Sequence, residues 1–240
     1  MEKLFKQVLW VLFLAVLLLG IPRLAGVFAD QFNYSGIDPD GTFAWISVHH
    51  IFQALVFLAI MVLITKAKGI KFGFGLGDKK VGLFYVRLFL IIFSVYLVVS
   101  VIITLFTGSF AVFDAPLTSR NILGYLGFQL FLSGPSEELI FRAFAITMLG
   151  LLVKGSFFKG KISTANIIAA IIFGLAHVRI EFSPLSVSYD IFQLIYATGL
   201  GIVYGVCYEK SKSMIYPMIM HSLSNVFAVG ATIIAAFLIS

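Results

Sequence analysis

Seven long apolar segments, separated by short polar stretches, run from near the first residue of the chain to near the last. Each is close to the ~20 residues that an α-helix needs to cross the hydrocarbon core of a bilayer. They cover residues 8–28, 43–65, 81–106, 122–153, 163–182, 187–207 and 214–239. Because a span in lipid must satisfy its own backbone hydrogen bonds, this pattern predicts an all-α fold, a polytopic transmembrane helix bundle with seven spans.

The amino-acid composition supports this assignment. Of the 240 residues, 60% are hydrophobic and 12% are charged, and the mean hydropathy of +1.06 is far above that of soluble globular proteins. No stretch between the apolar segments is long enough to fold separately, so residues 1–240 are expected to form a single membrane domain. The one cysteine, Cys207, excludes both a disulfide within the chain and a cluster of cysteine metal ligands.

The charged residues between the segments predict the orientation of the chain in the membrane. Lysines concentrate in residues 66–80, in residues 154–161 and in the turn before the last segment, whereas the first loop carries Asp30, Asp38 and Asp40 and no basic residue. Because positively charged loops stay in the cytoplasm, the N-terminus is predicted to be cytoplasmic and the C-terminus to lie outside. The lipid bilayer therefore accounts for the net charge of +6, and no nucleic-acid partner is expected.

The fourth segment contains charges that a lipid-facing helix would not tolerate. Residues 134–142 read GPSEELIFR, and each charged side chain at the bilayer centre costs at least about 2.5 to 3.5 kcal/mol, so it requires a partner, a cavity or a function. Glu138 and Arg142 are four residues apart with the acid first, which favours an ion pair on one helix face. Glu137 points about 100° away from that pair and is left for chemistry.

Gly134 and Pro135 precede the two glutamates. Because proline lacks a backbone donor and clashes with the preceding turn, the pair is expected to interrupt the helix. Glu137 and Glu138 would then lie in the first turn of a new half-helix, where the helix dipole favours negative charge.

Two further apolar segments carry histidines at a compatible depth. His177 lies late in the fifth segment and His221 early in the seventh, and at about 1.5 Å per residue both approach the depth of Glu137. His221 and Asn225 are four residues apart, as are Phe173 and His177, so each pair is expected to share a helix face. A lone histidine within a span is more often a packing residue, but three segments that bring Glu, His, His and Asn together indicate a polar cavity.

Three motifs thus follow one another on hydrophobic segments: EExxxR at 137–142, FxxxH at 173–177 and HxxxN at 221–225. This ordered set resembles the signature of the CPBP family of intramembrane proteases, also called the Abi or type II CAAX prenyl endopeptidase family. The resemblance covers residues 120–230, the expected catalytic core, whereas the N-terminal helices within 1–115 match only in being hydrophobic. It implies a bundle of eight helices around an intramembrane polar cavity that opens to the membrane or the cytoplasm. The eighth helix would come from the break at 134–135 or from a short helix within 107–120.

The resemblance also implies peptide-bond hydrolysis and assigns a role to each motif residue. The residues that would carry out the reaction are Glu137, Glu138, Arg142, His177, His221 and Asn225. Of these, Glu137 and His177 would activate water, while His221 and Asn225 would stabilise the oxyanion. Glu138 and Arg142 would support the site.

A metal ion is the main alternative within this mechanism. The preferred mechanism requires no cofactor, but Glu137, His177 and His221 could instead bind zinc and leave its fourth position to water. The paired-histidine HExxH helix of many zinc proteases does not occur in the chain. His49 and His50, near the outer end of the second segment, belong to none of the three motifs and are given no role.

The partner of such a site would be a peptide or a membrane protein. A prenylated CaaX tail, a peptide pheromone and a bacteriocin-related peptide are the candidate substrate classes. Two other functions stay open: a non-catalytic scaffold, immunity or regulatory protein of the same fold, and a proton-coupled transporter that uses the glutamate and histidine residues as a relay.

Overall fold

The structure, a computed structural model, describes residues 1–109, 111–182 and 184–239. In this part of the chain seven continuous helical segments form a bundle. Their helices are α1 (Glu2–Ala29), α2 (Ala44–Lys68), α3 (Lys79–Thr107), α4 (Ser119–Phe128), α5 (Gly134–Glu138), α6 (Ala145–Leu152), α7 (Thr164–Leu175), α8 (Ile191–Ser211) and α9 (Ile215–Ile239). Six of the segments are single helices, and the seventh contains α4, α5 and α6. Five of them, α1, α2, α3, α8 and α9, are each long and apolar enough to cross a membrane.

The fourth apolar segment is one continuous helix, in which two π-helical turns, Gln129–Ser133 and Leu139–Phe144, join α4, α5 and α6. The expected break before the glutamates is therefore wrong, because Gly134 keeps right-handed helical dihedral angles of −54° and −52°. The π turn directly before Gly134 widens the spiral of backbone hydrogen bonds, and this accommodates both the ring of Pro135 and its missing donor. The two adjacent glutamates thus lie within a helix rather than at a helix N-terminus.

This central helix is enclosed by the rest of the bundle. Helices α2, α7 and α9 pack against its middle, α1 packs against α6, and α3 lies outside against α8 and α9. The largest apolar core fills the space between the central helix and α1, α2 and α7, where Phe57, Phe144 and Leu149 are buried. The outward faces of the long helices expose many large apolar side chains, which suits contact with lipid.

Small residues allow α7 and α8 to approach each other closely. A Cβ atom on Gly205 would lie 1.9 Å from Oδ1 of Asn166, and one on Gly201 would lie 3.1 Å from Cβ of Ala170. The recurring small residues of α8 therefore serve helix packing within the chain.

The fifth helix is shorter than its apolar pattern suggests. Residues 176–182 were expected to continue α7, but they form a turn and one strand of a hairpin. The residues that the structure describes contain two such hairpins: β1 (Ser156–Phe157) pairs with β2 (Ile162–Ser163), and β3 (Arg179–Phe182) pairs with β4 (Leu185–Ser188). Polar and apolar residues alternate in Arg179-Ile180-Glu181, and this period of two favours a strand. His177 consequently follows α7 instead of lying within it.

The described residues between α3 and α4 contain no helix, so the short helix considered within 107–120 does not form there. This connection instead returns to α9, where the backbone N–H of Phe113 donates to the carbonyl of Thr232 over 3.2 Å. The eighth helix that the resemblance implies is not found in the part of the chain that the structure covers.

Candidate active site

The predicted ion pair between Glu138 and Arg142 lies in the centre of the bundle. Nε of Arg142 is 3.0 Å from Oε2 of Glu138, and their side chains are 1% and 0% exposed. The N–H bond does not point at the carboxylate, so the contact is electrostatic rather than a hydrogen bond. The guanidinium carbon also lies 4.4 Å from the ring centroid of Phe173 and 5.5 Å from that of Tyr204. A carboxylate and two aromatic faces thus compensate the buried cation.

Glu138 also holds His221 of α9. Nδ1 of His221 donates to Oε1 of Glu138 over 2.7 Å. Because a carboxylate can only accept, it keeps a proton on Nδ1 and leaves Nε2 facing Glu137, whose Oε2 is 3.8 Å away. The imidazole stacks on the ring of Tyr204 with a centroid distance of 5.1 Å, which fixes its plane.

Helix α9 can approach the two glutamates because the motif begins with a glycine. A Cβ atom on Gly134 would lie 2.6 Å from Oγ and 2.8 Å from the backbone nitrogen of Ser222. The residue beside His221 therefore packs directly on the backbone of α5. This contact sets the distance between the histidine and the glutamates.

Glu137 has a different environment from its neighbour. Its side chain is 18% exposed, and its two oxygens face two imidazoles. One belongs to His221 and the other to His50 of α2, whose Nε2 lies 3.9 Å from Oε1 of Glu137. Nδ1 of His50 is 2.6 Å from Oγ of Ser136, so the central helix itself holds the His50 ring.

His50 is the site residue that the sequence motifs miss. The sequence gives His50 no role, and the structure corrects this, because His50 is buried against the central helix and only 7% exposed. Gln53 is also buried, at 3% exposed. Two polar residues three positions apart on one face of an apolar helix are a signal that could have identified an inward-facing polar stripe.

His177 and Asn225 complete the set of predicted residues. Although His177 follows α7, its Nδ1 donates to the backbone carbonyl of Phe173 over 3.0 Å, and the two rings meet edge to face at 5.1 Å. Asn225 donates from Nδ2 to Oγ of Ser133 over 3.1 Å. His177 shares a cavity with Glu137 rather than contacting it.

A cavity of about 740 Å³ opens in front of Glu137. Its polar lining consists of His49, His50, Gln53, Glu137, His177, Arg179, Ser188, Tyr189, Asp190 and Gln193. A second cavity of about 500 Å³ also reaches Glu137 and is lined by His221 and Asn225. Both volumes fall in the range of sites that bind small ligands or short peptide segments.

The donors of the zinc alternative, Glu137, His177 and His221, do not form a metal site in this arrangement. Within residues 1–109, 111–182 and 184–239, no group of three or more His, Cys, Asp or Glu side chains is arranged to hold a metal ion. The side chains present therefore do not fit a three-ligand zinc centre as they stand.

Fold and site together define an integral, multi-pass membrane protein with a cluster of carboxylates and imidazoles in its interior. Residues 119–227 match the family model described as type II CAAX prenyl endopeptidase Rce1-like. All three motifs lie within the matched residues, which make up slightly less than half of the chain and are similar to that family of proteases. No curated protein and no solved structure matches the chain significantly.

Proposed function

We propose that the chain is an intramembrane endopeptidase in which Glu137 activates the water that hydrolyses a peptide bond. The observation that carries this proposal is the contrast between two adjacent carboxylates. Glu138 is fully buried and held by Arg142 and His221, whereas Glu137 faces a cavity between two imidazoles. A carboxylate that is accessible and lacks a direct hydrogen bond can accept a proton from water.

On either side of Glu137 an imidazole nitrogen stands just beyond hydrogen-bonding distance, so that a water beside each pair can bridge it. The oxygens of Glu137 lie 3.8 Å from Nε2 of His221 and 3.9 Å from Nε2 of His50, which is too long for direct hydrogen bonds and suits a bridging water. In the proposed reaction the water oxygen attacks the carbonyl carbon while Glu137 takes the proton. Glu137 then delivers that proton to the amine as the C–N bond breaks. A positioned base of this kind contributes about 10² to 10⁴ in rate.

His221 and Asn225 support the proposal as stabilisers of the oxyanion. Both line the same cavity as Glu137, one helical turn apart on α9. Asn225 has a second amide hydrogen beyond the one given to Ser133, and His221 donates from Nε2 when it is protonated. Each such donor is worth about 10² to 10³ in turnover. His177, with its proton held on Nδ1 by the Phe173 carbonyl, offers Nε2 as a second proton acceptor.

A cleavage assay in proteoliposomes tests the proposal. The purified protein is given a prenylated CaaX peptide and, separately, a pool of peptides derived from membrane proteins. Glu137→Gln is measured in parallel, and every reaction is run with and without a zinc chelator. We expect cleavage of at least one substrate set, loss of that cleavage in Glu137→Gln, and no effect of the chelator.

Each other outcome favours a specific alternative. Loss of activity with the chelator would favour the zinc mechanism through Glu137, His177 and His221. Absence of cleavage by folded wild-type protein would favour the scaffold or the transporter. Proton flux in sealed vesicles that Glu137→Gln abolishes would then identify the transporter.

A further inference from the structure

The charges of the bundle are distributed unequally between its two ends. Every lysine of the chain lies at one end, which we call the lysine end. It comprises the N-terminus and the connections α2–α3, α6–α7 and α8–α9. The opposite end carries acidic residues on its loops and hairpin, together with a few arginines and no lysine. Its acidic residues are Asp30, Asp38, Asp40, Asp114, Glu181 and Asp190.

The cavity in front of Glu137 lies at the acidic end. Its lining comes from the first turns of α2, including His50, from the β3–β4 hairpin, including Arg179, and from the start of α8, which Asp190 caps. Each of these elements lies at the acidic end. A substrate that enters the cavity from water therefore passes the hairpin and the loop groups of that end.

The path from Glu137 to the lysine end is filled by aromatic side chains. Phe144 lies about two helical turns beyond Glu137, and its ring meets Phe57 at 5.1 Å and Phe72 at 6.2 Å between centroids. Phe72 belongs to the α2–α3 connection, and it is 1% exposed. A backbone hydrogen bond holds this connection against the lysine end: the N–H of Met214 donates to the carbonyl of Gly73 over 3.0 Å.

Another cavity opens at the lysine end, but it is separate from the site. It measures about 690 Å³ and is lined by Lys71, Tyr208 and Lys212 among others. It shares no lining residue with either cavity that contains Glu137. The site is thus open at the acidic end and closed at the lysine end.

We infer that the site receives its substrate from the non-cytoplasmic side of the membrane. Lysine-rich connections stay in the cytoplasm, so the lysine end is cytoplasmic and the mouth of the cavity faces outward. The substrate class is then a polypeptide whose scissile bond lies at or beyond the outer leaflet. A tail anchored by a lipid to the cytoplasmic leaflet would have to cross the bilayer to reach Glu137. This inference rests on the proposed protease function, but its first test does not depend on activity.

Cysteine accessibility measures the sidedness directly. Cys207 is buried, and its replacement by alanine provides a background without thiols. Single cysteines are introduced at exposed, uncharged positions, so the charges that determine orientation are unchanged. Asn33→Cys and Ser186→Cys report on the acidic end, and Ala67→Cys and Ser156→Cys report on the lysine end.

In intact cells, a membrane-impermeant maleimide should label Asn33→Cys and Ser186→Cys fully. Ala67→Cys and Ser156→Cys should react only after permeabilisation. The reverse pattern, or labelling of all four positions in intact cells, would overturn the inference. Addition of Glu137→Gln should leave the labelling unchanged, so orientation is read independently of catalysis.

A second measurement tests the entry route. Peptide added outside sealed membrane vesicles should be cleaved by right-side-out vesicles and spared by inverted vesicles until these are opened with detergent. Cleavage by intact inverted vesicles alone would overturn outward access. If labelling shows the expected orientation and opened vesicles still cleave nothing, only the proposed protease function fails.

Discussion

Nδ1 of His221 donates a hydrogen bond of 2.7 Å to Oε1 of Glu138, a residue 83 positions earlier in the chain. This bond joins α9 to the central helix at the point where Arg142 also approaches Glu138. One buried carboxylate therefore fixes a cation and an imidazole at once. Its neighbour, Glu137, is left facing the cavity.

Removal of Arg142 should destabilise the protein severely. Arg142→Met leaves Glu138 as an uncompensated buried charge, so we expect a loss of about 3 to 5 kcal/mol in the free energy of unfolding. Unfolding in detergent measures this loss. Arg87→Met, at an exposed arginine of α3, is the matched control and should change stability by no more than about 0.5 kcal/mol. Equal stability of the two variants would contradict the role of Arg142.

His50→Phe tests the residue that the motifs do not contain. Phenylalanine keeps a ring against Phe128, which His50 contacts edge to face at 5.0 Å, but it removes the nitrogen that faces Glu137. We expect turnover to fall by up to about 10²-fold through misplacement of the attacking water, with little change in stability. His49→Phe is the control, since His49 lines the cavity without an ion-pair contact to Glu137. Similar activity of the two variants would remove His50 from the site.

Gly134→Ala should separate α9 from the central helix. Because the new Cβ meets backbone and side-chain atoms of Ser222 within 3 Å, we expect a cost of about 1 to 3 kcal/mol in stability and a loss of activity. Gly127→Ala places the same methyl group in α4, where no atom lies within 4 Å apart from the neighbouring residues and the backbone of the same helix. That control should be neutral or stabilising by up to about 1 kcal/mol. Thermal unfolding in detergent compares the two, and the reverse order of stability would contradict the account.

The carboxylate of Asp38 should make the free energy of unfolding depend on pH. Burial raises the pKa of Asp38, but hydrogen bonds from the backbone N–H groups of Ala44, Phe43 and Thr42 lower it, as does Arg120, and the net shift is downward. A carboxyl with a lowered pKa in the folded state stabilises the fold above its unfolded pKa of about 3.9. This stabilisation is lost as the pH falls from there through the folded pKa.

The test compares thermal unfolding of the wild type and Asp38→Asn between neutral and acidic pH. The difference between them should be constant at neutral pH and should shrink in the acidic range below the unfolded pKa. Asp114→Asn, at an exposed loop aspartate, controls for the change in net charge. A difference that persists undiminished into acid would show that the charge of Asp38 does not matter.

The helices could be predicted from sequence because apolar length and composition determine them. The start of α2 at Ala44 and that of α9 at Ile215 fall within a residue of the predicted boundaries. The ion pair of Glu138 and Arg142 could be predicted because a spacing of four residues fixes a shared face on any helix.

Tertiary packing decided the features that the sequence did not predict. A π turn before Pro135 depends on the neighbours of the helix rather than on local propensity, so the expected break was wrong. The end of α7 at Leu175 was missed because the hairpin that follows is also rich in apolar residues. His50 joins the site through contacts with Ser136 and Glu137, which lie 86 and 87 positions later in the sequence.

The most direct measurement is the rate of peptide cleavage by Glu137→Gln against that of Glu209→Gln in the same proteoliposomes. Glu209 lies near the lysine end of α8 and lines a different cavity. If Glu137 is the base that activates water, its replacement should lower turnover by about 10² to 10⁴ without lowering the unfolding temperature. Glu209→Gln should retain wild-type turnover. Equal turnover of the two variants would contradict the proposed mechanism.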